Sequence, residues 1–171
     1  MAQAVAKVAR RINSTVEEGK DSVDLSGCNL ISFPDGVFKM LRSVTPNIHK
    51  ITLANNELKA LSSKFFSTFT HLRELDLQGN VLSKLPDELG VMEHLISINL
   101  SNNKFTIFPL GLTQVPSLQH INLEGNGIAE LPLEKLSAMP ALRCVDMRSN
   151  PLDKGSASVA QTSLSFELLT Q

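Results

Sequence analysis

The chain has 171 residues, enough for one compact domain with short tails and too few for two independent ones. Hydrophobic residues make up 42% and charged residues 19%, a balance that supplies a folded core and excludes a wholly disordered chain. With 16 Lys and Arg against 17 Asp and Glu, the net charge of -1 creates no field that gathers phosphate backbones or coats an anionic membrane, so neither nucleic acid nor a membrane is expected as a partner.

The first predicted element is a helix over residues 2–18. Val5, Val8, Ile12 and Val16 recur at spacings of three and four, while Lys7, Arg10, Arg11, Glu17 and Glu18 fall largely off that stripe, and Gly19 supplies a stop. The stretch scatters its cations among alanines and is not expected to act as a signal peptide. Asn13-Ser14-Thr15 has the form of a glycosylation sequon, a triplet that also arises by chance.

From residue 20 the chain repeats itself. The first copy runs Lys20, Val23, Leu25, Cys28, Leu30, and the second Ile48, Ile51, Leu53, Asn56, Leu58. The next four begin at Leu72, Leu95, Leu118 and Leu142, at intervals of 24, 23, 23 and 24 residues, and end with Asn150 and Leu152. In each copy apolar residues alternate over a short span, the signature of a strand with one buried face, so six strands are predicted. A fixed Asn follows the strand, and its amide can satisfy loop groups that stacking would bury. Cys28, Asn56, Asn80, Asn103, Asn126 and Asn150 are thus expected to form an internal ladder, with Cys28 a structural thiol. A second apolar pair and usually a proline come next, as in Phe33-Pro34, Leu85-Pro86, Phe108-Pro109 and Leu131-Pro132, which favours turns over long helices on the outer side. Val37 to Leu41, in the longer first unit, can make one or two helical turns. Pairs such as Phe66 with Phe69 and Leu89 with Met92 close the outer wall.

The pattern L-x-x-L-x-L-x-x-N/C-x-L resembles the leucine-rich repeat superfamily in all six copies, apart from Lys20 in the first apolar slot. The resemblance implies an α/β solenoid with six short parallel strands on the concave face, an irregular or short-helical convex side and an N-terminal capping helix. The expected organisation is a cap over 1–19, repeats over 20–152 and a tail over 153–171. The tail's small polar residues 153–165 are expected to be flexible, with Phe166 to Leu169 able to fold back as a cap.

No signature of a hydrolase, nucleotide-binding loop, zinc protease or redox dithiol is present, so neither an enzyme nor a cofactor is expected. His71 and His94 occupy equivalent places in adjacent copies, but two imidazoles without a third ligand make a poor metal site, and no metal is expected. Two cysteines are too few for a disulfide scaffold and point to a reducing, cytoplasmic setting. What remains is the polar side of the strands, read as columns. Lys50, Glu74, Ser97 and His120 form one, Thr52, Asp76, Asn99, Asn122 and Asp146 the central one, and Arg148 lies just beyond. These ten residues are the candidate protein-binding face. In this reading the central column has no structural duty, so lysine at Asp76 and Asn99 would leave stability nearly unchanged. Phe65, Leu110 and Leu133 are a second candidate surface on the convex side. The expected role is a monomeric interaction module with an unidentified protein partner, or alternatively a regulatory subunit or adaptor of an enzyme such as a phosphatase or ubiquitin ligase.

Overall fold

The structure, a computed structural model, describes residues 2–159 and 164–171. Helix α1 (Ala2–Glu17) leads into seven three-residue strands: β1 (Ser22–Asp24), β2 (Lys50–Thr52), β3 (Glu74–Asp76), β4 (Ser97–Asn99), β5 (His120–Asn122), β6 (Cys144–Asp146) and β7 (Glu167–Leu169). They form one parallel sheet in sequence order. Short helices fill the return paths: α2 (Asp35–Met40), α3 (Ser63–Thr68), α4 (Leu133–Ser137) and α5 (Lys154–Val159), with 3-10 turns at 45–47, 87–91 and 110–114. Pro34, Pro86, Pro109 and Pro132 each stand at the N-cap of the helix or turn that follows, where a fixed φ and a missing N–H cost nothing.

Seven strands replace the six expected. Glu167–Leu169 pairs in parallel with β6, so this part of the tail extends the sheet. Its distance from β6, 23 residues from Cys144 to Glu167, is one repeat period. The expected flexible run is also revised: Lys154–Val159 is helical, begun where the Ser156 N–H donates to Asp153 Oδ1 at 2.7 Å. Residues 160–163 of that run lie outside the described residues.

The core is a stack of leucine layers. Val23, Ile51, Leu75, Ile98, Ile121 and Val145, one from each of the first six strands, are exposed by 2% or less. The outer wall, from Phe66 and Phe69 to Leu136 and Met139, is equally closed. Phe65, expected on the convex surface, is completely buried instead, in contact with Phe33 at 5.1 Å, Phe69 at 5.0 Å and Phe66 at 5.3 Å. In α3 two adjacent phenylalanines, Phe65 and Phe66, both turn inward, and the longer first unit brings Phe33 against Phe65 and Phe38 against Phe69. Leu133 is half-buried and Leu110 exposed.

The cap departs from its predicted stripe. Val8, Ile12 and Thr15 are buried, whereas Val5 and Val16 are 70% and 36% exposed. At 100° per residue the direction facing β1 is centred among those three, and Val5 and Val16 lie on its flank. Gly19 at φ +64 ends the helix, letting the Lys20 N–H reach Thr15 O at 3.0 Å.

The asparagine ladder holds the units in register. Asn80 Nδ2 donates to Leu53 O and Leu77 O, each at 3.0 Å, and its Oδ1 accepts the Leu58 N–H at 3.0 Å. Asn56, Asn103, Asn126 and Asn150 repeat this arrangement. The residue before each rung turns through positive φ, and the chain uses Gly27, Asn55, Gly79, Asn102, Gly125 and Ser149 there. Gly79 is required on a second ground: a Cβ would stand 2.5 Å from Asn55 Oδ1. Ser149, at φ 59, is the member of this column with no glycine or amide to ease the left-handed turn.

Two stability changes follow for urea denaturation. Asn80→Ala, which strands buried backbone groups in two repeats, is expected to cost about 2–4 kcal/mol, more than Asn150→Ala, whose site is half-exposed. Ser149→Gly is expected to stabilise by about 0.5–1 kcal/mol through relief of the left-handed conformation; no gain would mean that the serine is unstrained.

Candidate protein-binding face

Strand register brings nine of the ten predicted residues onto one face, and Arg148, two residues past β6, joins them through its contact with Asp146. Cα pairing runs Ser22, Lys50, Glu74, Ser97, His120, Cys144, Glu167 in one row and Asp24, Thr52, Asp76, Asn99, Asn122, Asp146, Leu169 in the next. The apolar residue between them in each strand points into the core, so alternation sends both rows to the opposite side. The sequence columns and the spatial rows coincide, and β7 lengthens them by Glu167 and Leu169.

The central row has a duty that the sequence reading missed. The Asp76 Oδ1 accepts the Gln78 N–H at 3.0 Å, Asn122 Oδ1 that of Glu124 at 3.0 Å, and Thr52 Oγ1 that of Ala54 at 3.4 Å. Asn99 Oδ1 takes both the Ser101 N–H at 3.0 Å and its hydroxyl at 2.7 Å, while Nδ2 donates to Gln78 Oε1 at 3.3 Å. These are local caps on the turn after each strand. Lysine at Asp76 or Asn99 would leave an amide without its acceptor, so the expectation of unchanged stability is withdrawn. The recurrence of Asp, Asn or Thr as the last residue of each of the first six strands, two before the capped N–H, was the available signal.

Asp146 is the most deeply set of the row, 7% exposed. Arg148 clamps it: Nε reaches Oδ1 at 3.0 Å and Nη2 reaches Oδ2 at 2.7 Å, with the Arg148 N–H also on Oδ1 at 3.1 Å. Burial pushes the Asp146 carboxyl upward, but the arginine side chain, the amide and the positive charge together outweigh it, and its pKa falls below the usual value. Nη2 also lies 3.8 Å from Glu124 Oε1. Asp24 is held down in the same manner, burial being outweighed by the Ser26 hydroxyl and amide with Arg11 and Lys7 nearby.

The first row is freer. Lys50 and Glu74 are exposed and lie 3.8 Å apart, Ser97 is half-buried, and His120 is exposed. Cys144, between His120 and Glu167, has its thiol pushed upward by burial and then by Glu167 and Asp146, which keeps it protonated and unreactive at neutral pH. The face is rich in acid: Asp24, Glu74, Asp76, Glu124, Asp146 and Glu167 stand against Lys50 and Arg148.

Other candidates fall away from this face. His71 and His94 stack on the surface with ring centroids 5.6 Å apart and planes at 10°. Among the described residues, no three His, Cys, Asp or Glu side chains are placed to hold a metal ion, and no helix is long and apolar enough to cross a membrane. The sequon lies within α1, where the Thr15 hydroxyl is buried and donates to Ser22 O at 2.9 Å. A cleft of about 480 Å3 between α1 and α2, lined by residues such as Val5, Ala9, Ile31 and Met40, has no charged residue in its walls.

A stack of parallel strand units, pinned by buried asparagines and leaving one polar sheet face open, defines a repeat solenoid of the protein-interaction type. The leucine rich repeat family profile matches residues 46–105, and the chain belongs to the leucine-rich repeat family. It is similar to leucine-rich repeat-containing protein 20 of Mus musculus, 52% identical over 169 residues, and of Homo sapiens, 53% identical over 169 residues. Either alignment covers 99% of this chain and 92% of the relative. A Leptospira interrogans leucine-rich repeat protein superposes with a TM-score of 0.70 at 24% identity over 94% of this chain and 46% of that one. One from Bacteroides thetaiotaomicron gives 0.68 at 21% identity over 78% and 17%. These two likenesses concern the fold.

The Asp146 clamp gives a pH prediction. A folded pKa below the unfolded value of about 3.9 means that the stabilisation is complete above that value and disappears as the pH falls through the folded one. Asp146→Asn should therefore be less stable than the native chain at pH 7, with the difference shrinking below about pH 4. Urea midpoints at pH 7, 5, 4 and 3 measure this, and a difference independent of pH would refute the clamp.

Proposed function

We propose that the chain is a non-catalytic, cytoplasmic interaction module that holds a protein partner on its concave face. The observation that carries this reading is the open polar sheet face: two rows of side chains in strand register, the central one preset by its own backbone contacts, which together with the flanking Glu124 and Arg148 present six carboxylates against two cations. A partner that presents cations and amides matches it in charge and hydrogen bonding, and such matching governs specificity and on-rate more than affinity. The face has no Trp or Tyr, so the complex is expected to be transient. Two unpaired cysteines, one buried, support a reducing compartment.

The test uses the freer row, whose side chains do not cap the turns. A Glu74→Lys, Ser97→Arg, His120→Glu variant should melt within about 3 °C of the native chain, as surface substitutions do. Affinity capture from cytosol, read by quantitative mass spectrometry, should show a specific partner reduced about ten-fold or more with the variant. Equal capture by a folded variant would move the binding surface elsewhere, and co-purification of a catalytic subunit would make the module an enzyme's regulator.

A further inference from the structure

We propose that two copies of the chain join edge to edge through β7, about a two-fold axis that passes between their Leu168 residues. The two ends of the solenoid are finished differently. At the first strand α1 covers Val23, leaving it 1% exposed, and Lys7 and Arg11 occupy the carbonyls of Gly27 and Ser26. At the other end Leu168 continues the same buried column yet is only half-buried, and no described strand lies beyond it.

The backbone of β7 specifies what can cover it. The Glu167 N–H donates to Arg143 O at 2.8 Å and Leu169 O accepts the Met147 N–H at 2.7 Å, so these residues direct their polar groups toward β6. Alternation then turns the N–H and C=O of Leu168 outward, a donor and acceptor pair on one residue with no partner among the described residues. The strand carries none of the usual guards: no proline, no lysine, and a single charge, Glu167, that points to the concave face.

A second β7 fits this edge better than an arbitrary strand. A two-fold axis makes the pairing antiparallel, and placed midway between the two Leu168 residues it sets them opposite each other, so each N–H meets the other C=O in two reciprocal bonds. The half-exposed leucines meet on the core side. On the concave side Glu167 lies opposite Leu169 of the other copy, so the two carboxylates are never paired. The two sheets become one, with both concave faces on the same side. A junction of three residues per copy is small, so the dimer is expected to form only at high concentration.

Sedimentation velocity of the full chain between about 5 µM and about 0.5 mM tests this range. The native chain should shift toward dimer mass at the upper end, and either Leu168→Lys or Leu168→Glu should weaken association about ten-fold by setting like charges against each other. Mixing the two variants should restore dimers, because opposite charges then face across the axis. Thr170→Pro, which deletes another outward N–H and keeps Leu168, should also weaken association; circular dichroism establishes that each variant is folded. A native chain that stays monomeric throughout overturns the proposal. So does a dimer indifferent to all three variants, or a charge-variant mixture no more associated than its components.

Discussion

A carboxamide fixed at the end of a three-residue strand is the contact on which this molecule depends. Leu53 O accepts from both Asn56 and Asn80, Leu77 O from Asn80 and Asn103, Leu100 O from Asn103 and Asn126, and Leu123 O from Asn126 and Asn150. Each carbonyl is therefore shared by successive rungs, and no repeat can shift without breaking bonds in its neighbours. Three-residue strands would hold register poorly by themselves, since their ladders are too short. The amides fix it from the loop, and the two concave rows follow as a consequence.

The ends obey the same requirement with different chemistry. The first rung is Cys28, whose thiol has one weak donor and cannot copy an amide; it donates to Ser26 O at 3.5 Å. Arg11 takes over, placing Nη1 2.6 Å from Ser26 O and 3.7 Å from Cys28 Sγ, while Asn56 Oδ1 receives the Cys28 N–H at 2.9 Å. The cap is thus a polar substitute for a missing repeat as well as an apolar lid. This accounts for Arg11 lying beside the buried stripe of Val8 and Ile12, and it leaves Val5 and Val16 free of the core.

The repeat fold was legible in the sequence because its constraint is periodic: a leucine face that cannot be buried alone recurs with its asparagine every 23 or 24 residues. The rows of the face were legible for the same reason, down to the pairing of Ser97 with His120. What escaped were features set by single contacts. β7 keeps the period but fills the flanking apolar slots with Ser165 and Thr170, so only Leu168 matches. The burial of Phe65 depends on Phe33, which lies in a neighbouring unit of irregular length. The turn-capping role of Asp76 and Asn99 is a local side-chain preference that leaves no mark in hydrophobic periodicity.

That capping changes what the central row can offer a partner. Each residue commits one oxygen to its own turn, which fixes the side chain's direction before anything binds. The remaining valences then differ by residue type: Asp76 keeps a second carboxylate oxygen as an acceptor, whereas Asn122 keeps an amide donor. Asp146 is taken up by Arg148, so its end of the row presents the guanidinium. A chain lacking aromatic anchors must draw its affinity from polar groups, and such groups lose least on binding when their rotamers are already fixed. The stability of the turns and the specificity of the face consequently rest on the same atoms, which is why the exposed row of Lys50, Glu74 and His120 is where specificity can vary at little cost to the fold.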